Sequence, residues 1–292
     1  MNTICLLTAA FRIDNLIPIA HSIVDGFKTS QQLKPLWVII IDQYNAVYSP
    51  SKLEEVQLFC KDNNIDYLIE YGGVNKDKPN YGGDIYNETI FKLKATMFSD
   101  SNPLVYILDD DNLIHPLFVP TIEKTDLTKP GIIWLSCMRQ RGVICEAEKT
   151  YAWRKLMMNE EEYVIPMQWV GDPSQMVFRM DYIIKMNGFH HASNYDYVTL
   201  PKMYEKFGND YVFYDTYDGW HHNRTHTYHN GLRSVQDTEN YINKLESDEP
   251  TEAHLYVQGA NSDPEIFPVS SKLAKIILVL IQEELKQNQM SK

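Results

Sequence analysis

Within the first 110 residues four short apolar runs alternate with three segments of helical spacing, and that alternation restricts the fold more than any other feature. The apolar runs are Thr3 to Leu7, Leu36 to Ile41, Ile65 to Ile69 and Pro103 to Leu108. Between them, Asn15 to Phe27 places Leu16, Ile19, Ile23 and Phe27 on one helical face, with Pro18 in the first turn, where a missing N–H is harmless. Ser51 to Asn63 does the same with Leu53, Val56 and Cys60, Ser51 being the expected cap. Asp84 to Phe98 does so with Ile85, Ile90, Leu93 and Met97. Strands that are apolar on both faces and separated by helices form a mostly parallel sheet with helices on either side, so the fold class is α/β. Such sheets bind ligands beyond the carboxyl ends of their strands. The residues that follow the runs are Thr8 to Arg12, Asp42, Gly72-Gly73 and Asp109 to Asp111, and most are polar.

The second half is less regular. Gly131 to Met138, Gln175 to Arg179 and Asp210 to Tyr214 read as strands, a short helix runs to Gly188, and Tyr195 to Phe207 reads as a helix. Asp218 to Gly231 is expected to be a loop. There is no internal repeat and no linker composition, so residues 1–235 are read as one domain with a regular α/β half, 1–112, and a less regular mixed half, 113–235. Residues 236–292 are expected to be a helical extension packed on it, with an amphipathic C-terminal helix around Ile276 to Ile281.

Three consecutive carboxylates, Asp109, Asp110 and Asp111, close the fourth apolar run. Like charges in a row raise one another's ionisation cost unless a cation neutralises them, and hard carboxylate oxygens suit Mg²⁺ or Mn²⁺. In extended backbone Asp109 and Asp111 point to one side and Asp110 to the other. A solvated acidic turn is the plainer explanation for such a triplet in a random loop; its position at the end of a buried strand favours the metal site. The stretch Gly219-Trp220-His221-His222-Asn223-Arg224-Thr225-His226-Thr227-Tyr228-His229 holds four of the nine histidines next to an arginine. Imidazole completes metal sites and guanidinium grips phosphate oxygens. Its spacing is not that of a zinc hydrolase helix, and no cysteine accompanies it. Asp196, in Tyr195-Asp196, opens the later helix; capping explains such a residue by itself, and a general base is the alternative.

In their order these residues resemble the GT-A glycosyltransferases, and most closely the inverting enzymes of family 2 and the family 43 glucuronyltransferases. The resemblance is carried by Thr8-Ala9-Ala10-Phe11-Arg12 after the first strand, by the strand ending in Asp42 and by the strand ending in Asp-Asp-Asp-Asn. It is carried as well by Tyr81-Gly82-Gly83 through Asn87, with Tyr86 where family 2 has arginine, and by Trp220-His221-His222-Asn223-Arg224-Thr225, one residue longer than the family 43 motif. It spans roughly residues 3 to 230. It implies a GT-A fold, a nucleotide-sugar donor with UDP as carrier, and a glycan or glycoconjugate acceptor. Thr8, Ala9, Phe11, Arg12, Asp42 and Asn87 would line the nucleotide, and Asp109 and Asp110 would meet its ribose and phosphate side. Asp109 and Asp111 with His221 or His222 would hold Mn²⁺ or Mg²⁺, and Arg224 would touch the pyrophosphate. Trp169, Gly171 and Asp172 would face the acceptor, and Asp196 would be the catalytic base of an inverting transfer.

Composition narrows the alternatives. A net charge of -12 argues against nucleic acid as a partner but not against a nucleotide, whose phosphates a divalent ion neutralises locally. Cys5, Cys60, Cys137 and Cys145 have no zinc-ligand spacing and read as reduced thiols, consistent with a cytoplasmic protein. No basic segment precedes the first strand and no apolar stretch reaches about 18 residues, so neither a leader nor a membrane span is expected. Peripheral association with the inner face of a membrane, and oligomerisation, are compatible with this composition. A nucleotidyltransferase making nucleotide sugars is the rival enzyme class, but Thr8 to Asn15 lacks the glycine-rich phosphate loop it needs. A catalytically degenerate glycan-binding relative is the rival outside catalysis, and the intact acidic triplet argues against it.

Overall fold

The computed structural model describes residues 2–42, 49–72, 83–110, 112–114, 117–134, 138–139, 143–144, 153–158, 161–166, 175–189, 210–214, 220–222, 253–257 and 265–269. In chain order the elements are β1 (Asn2–Ala10), α1 (Leu16–Phe27), β2 (Leu33–Asp42), α2 (Pro50–Asp62), β3 (Asp66–Gly72), α3 (Gly83–Thr96), β4 (Leu104–Ile107), β5 (Asn112–Ile114), α4 (Phe118–Glu123) and β6 (Gly131–Trp134). There follow β7 (Met138–Arg139), β8 (Val143–Ile144), β9 (Trp153–Met158), β10 (Glu161–Pro166), β11 (Met176–Arg179), α5 (Met180–Lys185), β12 (Val212–Tyr214), β13 (Trp220–His222), β14 (Ala253–Val257) and β15 (Glu265–Val269).

Seven strands form the central sheet in the order β12-β6-β11-β4-β1-β2-β3. The pairs β1–β2, β1–β4, β2–β3 and β6–β12 are parallel. Only β11 runs against its neighbours β4 and β6. Alternate residues of each central strand enter different cores. Ile4 and Leu6 of β1, Trp37, Ile39 and Ile41 of β2, and Leu104 and Tyr106 of β4 pack with α1, α2 and α4. Cys5, Leu7, Val38, Ile40, Val105 and Ile107 pack on the other face with α3 and α5. Burial on both faces explains why these strands read as unbroken apolar runs rather than alternating ones. Cys5 lies so deep that burial pushes its thiol up to about 12, which makes it an inert hydrophobe rather than a nucleophile.

Several boundaries differ from the sequence reading. The residue capping α2 is Ser49, with Pro50 in the first turn, rather than Ser51. α3 stops at Thr96, which leaves Met97 51% exposed instead of on the buried face. The run Gly131 to Met138 divides between β6 and β7, which belong to different sheets. Trp220–His222, expected within a loop, is strand β13 of a four-stranded sheet ordered β5-β13-β7-β8. Within 236–292, expected to be helical, the described residues form an antiparallel hairpin, β14–β15. A second hairpin, β9–β10, went unread altogether. The helices expected at Tyr195 to Phe207 and around Ile276 to Ile281, and Cys137 and Cys145, lie outside the described residues.

Candidate active site

Because β1, β2, β3 and β4 run parallel, Ala10, Asp42, Gly72, Asp109 and Asp110 come to one edge of the sheet. The chain leaving β1 is fastened to the chain leaving β4 there. The backbone N–H groups of Phe11 and Arg12 both donate to Oδ2 of Asp110, at 2.8 and 2.7 Å. The Arg12 guanidinium grips Oδ1 of the same carboxylate through Nε, at 3.1 Å, and through a terminal nitrogen. Asn15 donates to the Asp110 carbonyl at 2.8 Å. Asp110 is 2% exposed whereas Arg12 is 41% exposed, so the anion is interior and the cation bridges it to solvent. A buried carboxylate is tolerable only with such a set of charge-assisted donors.

Asp109 faces a different partner. Its Oδ1 accepts a hydrogen bond of 2.7 Å from the hydroxyl of Tyr86, which is 1% exposed in the first turns of α3. The alternation expected along the triplet therefore holds for its first two members: one carboxylate turns to the β1 loop and the next-door one to α3.

Two expected nucleotide contacts have other duties here. Thr8 is fully buried; its hydroxyl donates to the Leu108 carbonyl at 2.7 Å and accepts from the Trp37 indole at 2.9 Å, tying β1 to β2 and β4. Asn87 is 4% exposed; its Nδ2 donates to the Phe189 carbonyl at 2.8 Å and its Oδ1 accepts from the Phe189 N–H at 2.6 Å. The amide is thus a two-point clamp on the turn at Gly188, whose φ of +77° suits glycine and where a Cβ would lie 2.4 Å from the Asn87 oxygen. Both polar side chains are buried and bonded within the protein, Thr8 between strands and Asn87 to the turn at Gly188. Ala9, 4% exposed, is also in the core, while Phe11 packs at its edge. Asp42 ends β2 opposite Gly72.

The histidine stretch and the acidic motif come together through backbone pairing. β13 runs antiparallel to β5, with His222 opposite Asn112, His221 opposite Leu113 and Trp220 opposite Ile114. Segments separated by about a hundred residues in sequence are therefore hydrogen-bonded immediately after the acidic triplet. His221 also pairs with Met138. Asp111, Trp169, Gly171, Asp172, Asp196 and Arg224 lie outside the described residues.

As a donor set, carboxylates at 109 and 111 with imidazoles at 221 or 222 fit a hard divalent cation. Asp110 is excluded from that set by its engagement with Arg12. Among the described residues no three ligating side chains form a cluster, and no helix is long and apolar enough to cross a membrane. Sequence reasoning missed Tyr86 and Asn15 as partners of the acidic motif. The signal for Tyr86 was present, a tyrosine where the family 2 pattern has arginine, but its pairing with Asp109 depends on the sheet order.

No protein-family model matches this sequence, and no curated protein sequence matches it. Among solved structures, TarS residues 1–349 from S. aureus is similar with a TM-score of 0.53 at 12% identity, over 83% of this chain and 66% of that one. The same protein in complex with UDP-GlcNAc is similar with a TM-score of 0.52 at 10% identity, over 96% of this chain and 71% of that one. Its complex with UDP is similar with a TM-score of 0.51 at 10% identity, over 83% and 66%. This chain therefore spans about two thirds of the length of the first of these structures. The mostly parallel sheet with helices on both faces is the GT-A fold that the sequence resemblance implied.

Proposed function

We propose that the chain is a metal-dependent glycosyltransferase that moves a sugar from a nucleotide sugar, with UDP as carrier, to a hydroxyl of a glycan or glycoconjugate. The observation that carries this reading is the pairing of β13 with β5, which brings the Trp-His-His segment beside the acidic triplet at the ligand-binding edge of a GT-A sheet. The UDP-GlcNAc bound by the similar S. aureus protein supports the choice of a nucleotide sugar. The family 2 and family 43 motifs support an inverting transfer.

In this reading Asp109 and Asp111, with His221 or His222, hold Mn²⁺ or Mg²⁺. A bound divalent ion supplies charge neutralisation for the departing nucleoside diphosphate. Phe11, Arg12 and Asp42 border the nucleotide. Asp110, fixed by Arg12 and the backbone beyond β1, keeps that border in place. Arg224 grips the pyrophosphate, where a planar guanidinium matches phosphate oxygens. Trp169, Gly171 and Asp172 form the acceptor side, and the indole offers an apolar face to a sugar ring. Asp196 takes the proton from the acceptor hydroxyl, which is a poor nucleophile until that proton leaves.

The test is a transfer assay over a panel of UDP- and GDP-sugars with oligosaccharide acceptors and Mn²⁺. The expected result is acceptor-dependent release of nucleoside diphosphate, with the anomeric configuration inverted by NMR. Asp196→Asn should lower turnover by about 10²-fold or more, the scale of a lost general base, and leave donor affinity unchanged. A product with retained configuration, or full turnover in Asp196→Asn, would remove Asp196 as the base and leave Asp172 and Glu205 as the next carboxylates to test.

A further inference from the structure

We infer that Tyr86 is a positioning residue that fixes the orientation in which the Asp109 carboxylate meets the donor complex; the inference rests on the glycosyltransferase reading above. A carboxylate on a short stem can rotate freely, and pinning one of its oxygens sets the direction of the other. The Tyr86 hydroxyl does this at 2.7 Å to Oδ1. The phenol is 1% exposed and belongs to the core beneath α3, among residues where phenylalanine would supply the same apolar volume. A hydroxyl buried there costs free energy unless it is bonded, and an O–H···O⁻ bond to Asp109 is strong enough to compensate.

The helix that carries the phenol is itself immobilised one residue further on. Asn87 binds both the N–H and the carbonyl of Phe189, at 2.6 and 2.8 Å. Gly188 closes against its amide with no room for a Cβ. Phe189 is 1% exposed and meets the Phe178 ring of β11 edge-on, with centroids 6.0 Å apart. Tyr86 therefore reaches Asp109 from a turn anchored to the central sheet by its neighbour. A group held this way is preorganised and loses little entropy when a ligand binds.

The test is calorimetric titration of UDP and of GDP into the full chain, with Mn²⁺ and then with EDTA, for wild type and Tyr86→Phe. Phenylalanine keeps the ring and removes only the hydroxyl. We expect the gain in affinity due to Mn²⁺ to shrink by about tenfold, the scale of one charge-assisted hydrogen bond, with the affinity in EDTA unchanged. Asn87→Ser loosens the anchor while leaving the hydroxyl in place, and should reduce the same gain by a smaller factor. A Tyr86→Phe protein that melts earlier but keeps the whole Mn²⁺-dependent gain would show a merely structural hydroxyl and overturn the inference. A wild type that binds neither nucleotide more tightly with Mn²⁺ would remove the functional reading instead, and that result appears before any variant is measured.

Discussion

Asp110 shows what a run of identical residues conceals. The triplet reads as three equivalent carboxylates, yet Asp110 is interior and bonded to Arg12 and two backbone N–H groups, while Asp109 answers to Tyr86. Burial and partner choice divide their roles, and neither is encoded in the triplet itself. Asp110→Asn places an amide N–H against donors that need an acceptor. Its cost should be about 2 kcal/mol, measured by urea unfolding, short of the figure for a fully buried pair because Arg12 is 41% exposed. Glu123 is a second anion with a local purpose. Its Oε1 accepts from the Ser30 hydroxyl and from the N–H groups of Gln31, Gln32 and Leu33, fastening the end of α4 to the turn before β2. Partial burial pushes its ionisation upward, but those donors outweigh it and hold the carboxyl below its ordinary 4.5. A carboxyl depressed on folding contributes stability that is complete above the unfolded value and fades as pH falls through the folded one. Glu123→Gln should therefore cost about 1 kcal/mol at pH 7 for this half-exposed group. The gap to wild type should close as the pH is lowered from about 5 to about 3 in denaturant titrations; a gap independent of pH would contradict it.

At the scale of elements, the sequence was most informative where a segment is buried on both faces. β1, β2 and β4 and helices α1 and α2 were legible because both cores demand apolar residues at the periods of strand and helix. Short strands whose partners are far away in sequence were not legible. β13 is three residues long and rich in histidine, and its pairing with β5 and β7 makes it a strand. Tertiary context overrides weak local propensity in such cases. The internal bonds of Thr8 and Asn87 were illegible for a related reason. Their bonds run between elements and are visible only when Leu108, Trp37 and Phe189 are brought beside them. We propose that the histidine-rich stretch Asp218 to Gly231, long, aromatic and basic in an acidic chain, closes over the donor as a lid, with 220–222 held in a sheet. Backbone bonded into a sheet resists proteases, so cleavage of the unliganded protein should begin within 223–231 rather than at 220–222. UDP with Mn²⁺ should slow it, because lids of this kind close over the donor. Equal cleavage with and without ligand would mean that the segment is no lid.

In the whole molecule an architecture meets a chemistry. The central sheet, with β11 as its one reversed strand, sets the carboxyl ends of four parallel strands along one edge. At that edge Arg12, Asp109 and Asp110 are organised by bonds from β1 and α3, and β13 delivers the histidine segment to the residues just after the triplet. A net charge of -12 makes an anionic nucleoside diphosphate an awkward guest without a cation. The central claim is therefore that nucleotide binding depends on a divalent ion held through the acidic triplet. The direct measurement is calorimetry of UDP binding to wild type and to Asp111→Asn, each with Mn²⁺ and with EDTA. The account predicts binding to wild type with Mn²⁺, at least about tenfold weaker binding in EDTA, and a comparable loss in Asp111→Asn even with Mn²⁺ present. Equal affinity in all four titrations, or no nucleotide binding by the wild type under any condition, would contradict it.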